Sequence, residues 1–428
     1  MTTAGERLDG RTGDLEAVQK RTLRVLAGSV VPAGLGMTGG YAAASVLAKE
    51  LTDSATLAGV AAAFLSVGGA FAAVPLSRYM NTAGRRAGMV VGWSVAMAGA
   101  FAAFLAAVLS SYALLVVGVA GIGVGNATNL AARYAAADLA SDETRGRAIG
   151  LLVWTSTFGS VLGPFLALGP VAWLAVQIGL PELAGPYLLS LSVFGAAAFG
   201  IHRLLRPDPL LLAQERSGIE PGGDRQPVSA SLAMILQRPL ARLAVMAMAV
   251  GQAVMVGVMT MTPVHMENGD QSRTIIGLVI SLHIVGMYAF SPFVGWLVDR
   301  LGTYLVIAGG GAALFVGAEL ASHTGETERF GVFAGLFLIG VGWSCGLVAG
   351  SSLLTSSFSV EERVGVQGAA DLLMVGSGAA AGMIAGVVVD SVGYHSLSHW
   401  AGIGSLSLVL AAALAAWQAR KQPPLAAA

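Results

Sequence analysis

The sequence predicts an all-α polytopic membrane protein with twelve transmembrane helices in two six-helix pseudo-repeats. Of its 428 residues, 55% are hydrophobic and only 11% are charged, whereas a soluble protein carries about 25% charged residues. Apolar runs near the roughly 20 residues that cross a bilayer recur along the whole chain. Similar sequence also recurs at an offset of 218 residues, which predicts that the second half repeats the first.

Twelve apolar segments are long enough to be transmembrane helices. They lie near 25–48, 55–76, 87–109, 113–135, 148–172, 186–205, 241–265, 274–297, 303–321, 331–356, 367–389 and 400–418. The longest polar stretch separates segment 6 from segment 7. The predicted organisation is a cytoplasmic tail (1–24), an N-terminal bundle (25–205), a cytoplasmic central loop (206–240), a C-terminal bundle (241–418) and a second cytoplasmic tail (419–428).

The distribution of positive charge predicts the orientation in the membrane. With both termini in the cytoplasm, the loops on the outer side hold only Lys49, Arg273 and Arg329, and the inner side holds the other 21 of the 24 Lys and Arg residues. Three of the 24 are Lys and 21 are Arg, a composition typical of a high-GC bacterium. We therefore expect a monomer that crosses the bacterial cytoplasmic membrane many times and contacts lipid.

Composition also excludes several classes of protein. The net charge is zero, so no nucleic-acid partner is expected. The single cysteine, Cys345, excludes an intrachain disulfide. The closely spaced glycines of segment 4 lack the strand–turn–helix setting of a dinucleotide site, and no nucleophile or phosphate loop stands out. An enzyme and a bound cofactor are therefore not expected.

The repeat is clearest after segments 2 and 8. The sequence SRYMNTAGRR covers 77–86 and GWLVDRLGTY covers 295–304, with Gly84 and Gly302 at the 218-residue offset. The same offset relates Arg145 to Arg363 and Gly150 to Gly368. Duplicated six-helix halves are typical of secondary transporters.

These two stretches resemble the signature Gly-x-Leu-x-Asp-Arg-x-Gly-Arg-Arg of the major facilitator superfamily. The matching positions are Gly84, Arg85, Arg86, Gly295, Leu297, Asp299, Arg300 and Gly302. The first copy departs from the signature at Ser77, Asn81 and Thr82. The resemblance implies the major facilitator fold, alternating access and a gating role for the motif charges. The alternative is that these charges only set the topology.

Segment 5 contains a second motif, GLLVWTSTFGSVLGP at 150–164. Its residues Gly150, Gly159, Gly163 and Pro164 resemble the helix-5 motif of drug–proton antiporters. Small residues four apart let another helix approach closely, and Pro164 permits a kink. Close packing alone is the alternative interpretation.

Four sulfur and imidazole side chains predict a metal site between segments 7 and 8. Met255 and Met259 share one helix face, and so do His283 and Met287, because each pair is four residues apart. At about 1.5 Å per residue, both pairs lie near the middle of the membrane, where such transporters hold substrate. Neutral thioether and imidazole ligands favour Cu(I). Packing methionines and a carbonyl-bonded histidine are the alternative.

The two pairs are similar to the metal-binding motifs of CcoA-like copper importers. This resemblance implies copper uptake through Met255, Met259, His283 and Met287, with a copper ion or small copper complex as transported substrate rather than cofactor. Met261, His265 and Met266, at the outer end of segment 7, are candidate entrance ligands. Cys345 is a further candidate ligand or a small packing residue, and His395 and His399 are expected on the surface.

Asp371 is the acidic residue of greatest interest, because an ionisable group at this depth is a functional candidate by default. It either couples transport to protons or pairs with Arg363. The runner-up function is proton-coupled efflux of small organic compounds, which the helix-5 motif favours. Against it, segment 1 has no acidic residue between Leu23 and Ala48.

Overall fold

The computed structural model describes residues 4–219, 227–271, 273–325 and 330–421, and the regular structure of these ranges is helical. Residues 1–3 and 422–428 of the predicted tails lie outside the described residues. So do 220–226 of the predicted central loop and 326–329, which include Arg329.

The described residues of the first half form seven α-helices. They are α1 (Ala4–Thr52), α2 (Ala55–Leu109), α3 (Tyr112–Ala137), α4 (Arg145–Leu166), α5 (Ala172–Gln177), α6 (Ala184–Leu204) and α7 (Pro209–Arg216). A π-helical turn at Ala167–Val171, which includes Pro170, joins α4 to α5. Within this half, α2 packs mainly against α3 and α6, and α1 packs against α6.

In the second half, the described ranges form seven more helices. They are α8 (Val228–Gln237), α9 (Pro239–Asn268), α10 (Arg273–Tyr288), α11 (Ser291–Leu301), α12 (Thr303–Ser322), α13 (Phe330–Ser356) and α14 (Val360–Lys421). Helix α13 packs against α9, α10 and α12, so it is the central helix of this group. The predicted central loop contains two short helices, α7 and α8.

Within the described ranges, ten helical runs are long and apolar enough to cross a membrane. The two longest are Leu57–Leu109 and Val360–Ala419, and at 53 and 60 residues each is far longer than one crossing needs. Each is broken by a glycine with non-helical backbone angles, Gly84 in α2 and Gly393 in α14. Each run therefore holds two of the twelve predicted segments.

The first helix begins earlier than the predicted segment 1. Helix α1 begins at Ala4, and its membrane-length run begins at Leu15, ten residues before the predicted boundary at 25. Residues 15–24, LEAVQKRTLR, are polar but rich in strong helix formers, so the helix extends through them.

Contacts divide the chain into two compact units that each take one segment from the other half of the sequence. The first unit is Met1–Ser141, Thr155–Val228 and Ser359–Leu372. The second unit is Asp142–Trp154, Ser229–Phe358 and Leu373–Ala428. Two short stretches, 142–154 and 359–372, are thus the exchanged segments.

The backbone reproduces the sequence repeat at the two motif glycines. Gly84 has φ 88° and ψ 167°, and Gly302 has φ 83° and ψ 159°. Positive φ is a conformation that residues other than glycine rarely adopt. Both motif copies therefore use glycine to make the same sharp break between two helices.

Candidate functional site

A buried ionic cluster joins exchanged segment 359–372 to the rest of the first unit. Arg85 donates from Nε and Nη2 to the two carboxylate oxygens of Asp138, at 2.9 and 3.2 Å. Its Nη2 also donates to Oε1 of Gln367 at 2.7 Å. Arg85 and Asp138 are each 1% exposed, so this pair is shielded from solvent.

A second buried ion pair lies beside the first. Arg133 of α3 pairs with Asp371 of α14 through its Nη2 atom. Tyr134 donates its hydroxyl hydrogen to Oδ1 of Asp371 at 3.3 Å and accepts a hydrogen bond from Nη2 of Arg133 at 3.0 Å. The predicted alternative partner, Arg363, is eight residues earlier on the same helix, or about 12 Å along its axis.

The two ion pairs border a small cavity within the first unit. Its volume is about 10 Å³, close to the minimum that holds one water molecule. Polar lining comes from Ser77, Arg85, Tyr134, Gln367 and Asp371. The cavity therefore offers a single water several polar partners among buried charged groups.

The second unit holds its exchanged segment differently. Asp299 of α11 accepts hydrogen bonds from the backbone N–H groups of Gly146 and Arg147, at 2.8 and 3.0 Å. Its side chain is 2% exposed and lies 3.4 Å from Nε of Arg147, which is 55% exposed. A carboxylate at the start of a helix is stabilised by free N–H groups and by the helix dipole.

Two more residues of the second motif copy, Gly295 and Arg300, have defined contacts. A Cβ on Gly295 would lie 2.4 Å from the carbonyl oxygen of Gly146, so only glycine fits there. Arg300 places its guanidinium 5.5 Å from the ring centre of Trp296 on the same helix.

Asp208, which lies shortly after α6, binds the backbone of the first motif copy. Its carboxylate accepts hydrogen bonds from the backbone N–H groups of Arg85 and Arg86, at 3.2 and 2.7 Å. The same carboxylate caps α7 by accepting hydrogen bonds from the backbone N–H groups of Leu210 and Leu211. One side chain therefore caps two helices.

The glycines of the helix-5 motif make close helix contacts. A Cβ on Gly159 would lie 2.7 Å from the backbone of Gly34 in α1, and Thr38 of α1 donates to the carbonyl oxygen of Gly159 at 2.9 Å. Gly163 meets the same helix, whereas Gly150 meets the backbone of Ser291. Helical geometry continues through Pro164, and the π-helical turn follows it.

His283 is fully buried on α10 and faces α13. Its Nδ1 atom lies 2.7 Å from the carbonyl oxygen of Leu336. Among the residues that the structure describes, its Nε2 atom has no hydrogen-bond partner. Met287 follows one turn later and is 7% exposed, and its backbone nitrogen lies beside Gly340 of α13.

The other methionine pair lies on α9, which also packs against α13. Met255 is 6% exposed, and Met259 is partly exposed. Gly251, one turn before Met255, approaches the backbone of Trp343. Met255 therefore lies on the face of α9 that turns towards α13, the helix that His283 also contacts. Cys345 packs on Gly310 of α12 instead.

One of the predicted entrance residues, His265 near the end of α9, contacts another histidine. The His265 ring stacks on Tyr394 with 4.2 Å between ring centres and meets His395 edge-on at 5.2 Å. Met266 is buried and Met261 is partly exposed. His395 and His399 are exposed, as expected.

Glu319 lies between two histidines of the second unit. His399 Nδ1 is 2.8 Å from one carboxylate oxygen, and His323 Nδ1 is 3.5 Å from the other. Within the described part of the chain, no group of three or more His, Cys, Asp or Glu residues is placed to hold a metal ion.

Sequence reasoning missed several members of the ionic cluster. They are Asp138, Tyr134, Gln367 and Asp208. A signal was present for two of them, because Tyr134 follows Arg133 directly and Asp138 follows five residues later, at the end of an apolar segment. Polar residues near a membrane boundary are usually hydrated, so this signal alone did not single them out.

The chain matches the family described as Major Facilitator Superfamily over residues 25–270 and 265–428. It is 36% identical over 397 residues to the uncharacterized MFS-type transporter YdeG of Bacillus subtilis (strain 168), covering 92% of this chain and 91% of that protein. It is 27% identical over 368 residues to the riboflavin transporter RfnT of Brucella anthropi, covering 85% and 88%.

Among solved structures, the human organic anion transporter MFSD10 is similar in fold. The TM-score is 0.72 at 15% identity, covering 92% of this chain and 99% of that one. The predicted all-helical fold and the two repeats are thereby confirmed. Family match, relatives and fold agree that the chain is a multi-pass secondary transporter of the Major Facilitator Superfamily.

Proposed function

We propose that this transporter takes up copper, as the ion or a small copper complex, through a site that contains His283. The observation that carries the proposal is the hydrogen bonding of the imidazole. A carbonyl oxygen can only accept, so Nδ1 donates to Leu336 and the lone pair lies on Nε2. Metal-ligating histidines commonly donate their other N–H to a backbone carbonyl in this way.

Nearby sulfur supports copper over harder metals. Met287 is one turn from His283 on the same face, and Met255 and Met259 are on α9, which packs against the same central helix. Thioethers select Cu(I), and neutral ligands keep the cost of an empty buried site moderate. Copper would bind at this site, and a change in the transporter's conformation would then release it towards the cytoplasm.

A small organic compound is the second candidate cargo. Trp343 donates from Nε1 to Oε1 of Gln252 at 2.6 Å, and Tyr288 meets Trp343 edge-on at 5.5 Å. Aromatic surface with a placed amide is typical of sites for organic ligands. Similarity to a riboflavin transporter also favours such a cargo. Under this alternative the transporter would work as a proton-coupled exporter, as the helix-5 motif suggests.

Accumulation of radioactive copper in expressing cells tests the first proposal. The site variants are His283→Ala, Met255→Leu and Met287→Leu, compared at matched amounts of membrane protein. Exposed residues of the same types provide matched controls, His323→Ala and Met383→Leu. We expect His283→Ala to reduce uptake by about tenfold or more, the leucine variants to reduce it, and the controls to keep it.

The outcomes separate cargo from site. Wild-type uptake that persists in all three site variants would show that copper passes elsewhere. A folded wild type that accumulates no copper would reject the cargo, and transport of riboflavin and other planar organic compounds would then be measured with the same variants.

A further inference from the structure

The two short helices of the predicted central loop expose different kinds of residue. In α7, whose sequence is PLLLAQER, the exposed residues are the charged Glu215 and Arg216. In α8, whose sequence is VSASLAMILQ, no residue is charged. Helix α8 is apolar but, at 10 residues, too short to cross a membrane. Contact with water therefore suits the exposed face of α7 but not the whole exposed face of α8.

Helix α8 has a buried side and an exposed apolar side. Ser231 and Ile235, one turn apart, are 2% and 3% exposed, so this side is covered by protein. Ala233 and Leu236, three residues apart, are exposed, and the exposed fraction of Leu236 is 66%. Apolar surface of this kind is more stable outside water. The exposed side of α8 therefore favours an apolar environment.

This apolar surface continues into a membrane-spanning helix. Helix α8 ends at Gln237, and α9 begins two residues later with the run Pro239–Met266, which is long and apolar enough to cross a membrane. Leu240, four residues after Leu236, is 38% exposed. On a spanning helix of a multi-pass membrane protein, exposed apolar side chains contact lipid. Helix α8 is therefore adjacent to the part of α9 that enters the membrane.

Two arginines follow α8, and their surroundings differ. Arg238 donates from Nη1 to the carbonyl oxygen of Ser357 at 2.8 Å, and its guanidinium lies 4.2 Å from the ring centre of Phe358. Arg242, one turn later, is exposed. A guanidinium matches phosphate oxygens with paired hydrogen bonds. Arg238 therefore attaches this end of α9 to the chain just beyond α13, whereas Arg242 is accessible to a lipid headgroup.

We propose that α8 lies in the headgroup layer of the membrane, with Ala233 and Leu236 against acyl chains and Arg242 bound to the phosphate of an anionic phospholipid. Amphipathic helices that lie in this layer bury their apolar face at the boundary between headgroups and acyl chains. Negatively charged lipid attracts an arginine at the membrane surface, which favours an anionic headgroup. The proposal concerns a lipid site and does not depend on the cargo.

The lipid site would position the start of α9 from one side, while Arg238 positions it from the other. Helix α9 also carries Met255 and Met259, the two methionines of the proposed copper site. Lipid bound at α8 therefore acts on the same helix that contributes to the proposed transport site.

Quenching of a fluorescent probe by nitroxide-labelled lipids tests the proposal on the full chain. Cys345→Ser removes the single native thiol, and Leu236→Cys then carries an environment-sensitive fluorophore. The protein is reconstituted in vesicles of phosphatidylcholine and phosphatidylglycerol, and the nitroxide is placed near the headgroup on one lipid or the other. Iodide quenches from the water side. Ala233→Cys gives a second probe on α8, and Glu215→Cys on α7 gives a control probe in water.

We expect nitroxide lipids to quench both probes on α8, and iodide to quench mainly the probe on α7. Nitroxide phosphatidylglycerol should quench the probe at Leu236 more strongly than nitroxide phosphatidylcholine, because Arg242 enriches anionic lipid by about fivefold. Arg242→Gln should remove this difference but keep the quenching by lipid. Arg216→Gln, which removes an exposed arginine of α7, should leave both unchanged.

Three results would overturn the proposal. Quenching of both α8 probes by iodide but not by lipid would show that this face lies in water. Protection of both probes from lipid and from iodide would show that protein covers it. Equal quenching by the two nitroxide lipids in the protein that retains Arg242 would show that no anionic lipid is selected there. None of these measurements uses copper, so this proposal and the proposed cargo fail separately.

Discussion

Gly84 combines a positive φ with a very close side-chain neighbour. A Cβ there would lie 2.4 Å from Oδ2 of Asp208, the carboxylate that caps the helix start at Arg85 and Arg86. Gly302 has nearly the same backbone angles, but no atom of the described residues lies within 4 Å of its Cβ position. Comparing alanine variants of the two glycines therefore separates the cost of backbone strain from the cost of losing the cap.

We predict that Gly84→Ala lowers the free energy of unfolding more than Gly302→Ala does. Both variants incur roughly 1–3 kcal/mol of backbone strain, because their φ and ψ lie in a region that only glycine readily adopts. Gly84→Ala also displaces a cap worth about 0.5–2 kcal/mol. Unfolding by denaturant in detergent measures the difference. Equal destabilisation of the two variants would show that Asp208 contributes nothing to stability.

At this scale the repeat in the sequence predicted the motif positions but not their partners. Gly84 and Gly302 were identified because a sharp break between helices needs glycine wherever it occurs. Arg85 was assigned to gating from its motif, whereas its partners Asp138 and Gln367 are 53 and 282 residues away. Such pairings depend on tertiary packing, and no local pattern encodes them.

Helix α4 shows how small residues set the distance between elements. Gly159 and Gly163 bring its backbone against α1, and the hydroxyl of Thr38 reaches the carbonyl oxygen of Gly159 across the contact. The motif predicted close packing, and the structure agrees with that interpretation.

We predict that Gly159→Ala destabilises the protein, because its Cβ would lie 2.7 Å from the backbone of Gly34. Overpacking of this kind costs about 1–3 kcal/mol. Gly200→Ala is the matched control, since no described atom lies within 4 Å of its Cβ position in α6. Thermal unfolding in detergent compares them, and equal unfolding temperatures would contradict a tight contact between α1 and α4.

A substitution at Asp299 tests whether the contact between α11 and the start of α4 has a gating role. Asp299→Asn removes the charge that meets the N–H groups of Gly146 and Arg147, an interaction worth about 0.3–1 kcal/mol or more when partly buried. We predict slower transport at an unchanged amount of membrane protein. Arg203→Gln is the control, because Arg203 is an exposed charge outside the motif with its guanidinium over Phe199. An unaffected rate in Asp299→Asn would count against a gating role for the motif charges.

For the whole molecule, apolar length predicted the membrane class and helix number well, but the boundaries less well. Hydropathy detects only the apolar residues that lie in the membrane core. It therefore predicts two separate segments in each of α2 and α14, on either side of a polar or glycine-containing bend. It also ends α1 near residue 25, although helix formers continue the helix outwards. Burial of Arg133 was not predictable, because a cation at a segment end is usually hydrated.

The orientation of the whole chain remains a prediction from the distribution of Lys and Arg. A fluorescent protein that matures only in the cytoplasm, fused after residue 428, should fluoresce in intact cells. A secreted phosphatase fused at the same place should be inactive. The reverse pair of results would show that the C-terminus lies outside and would contradict the predicted orientation.

X-ray absorption of the purified protein loaded with one equivalent of Cu(I) tests the central claim most directly, because it identifies the atoms bound to copper. The account predicts stoichiometric binding with sulfur ligands and one imidazole nitrogen, and loss of the nitrogen signal in His283→Ala but not in His323→Ala. Copper surrounded by oxygen and nitrogen alone, or a wild type that binds no copper, would contradict it.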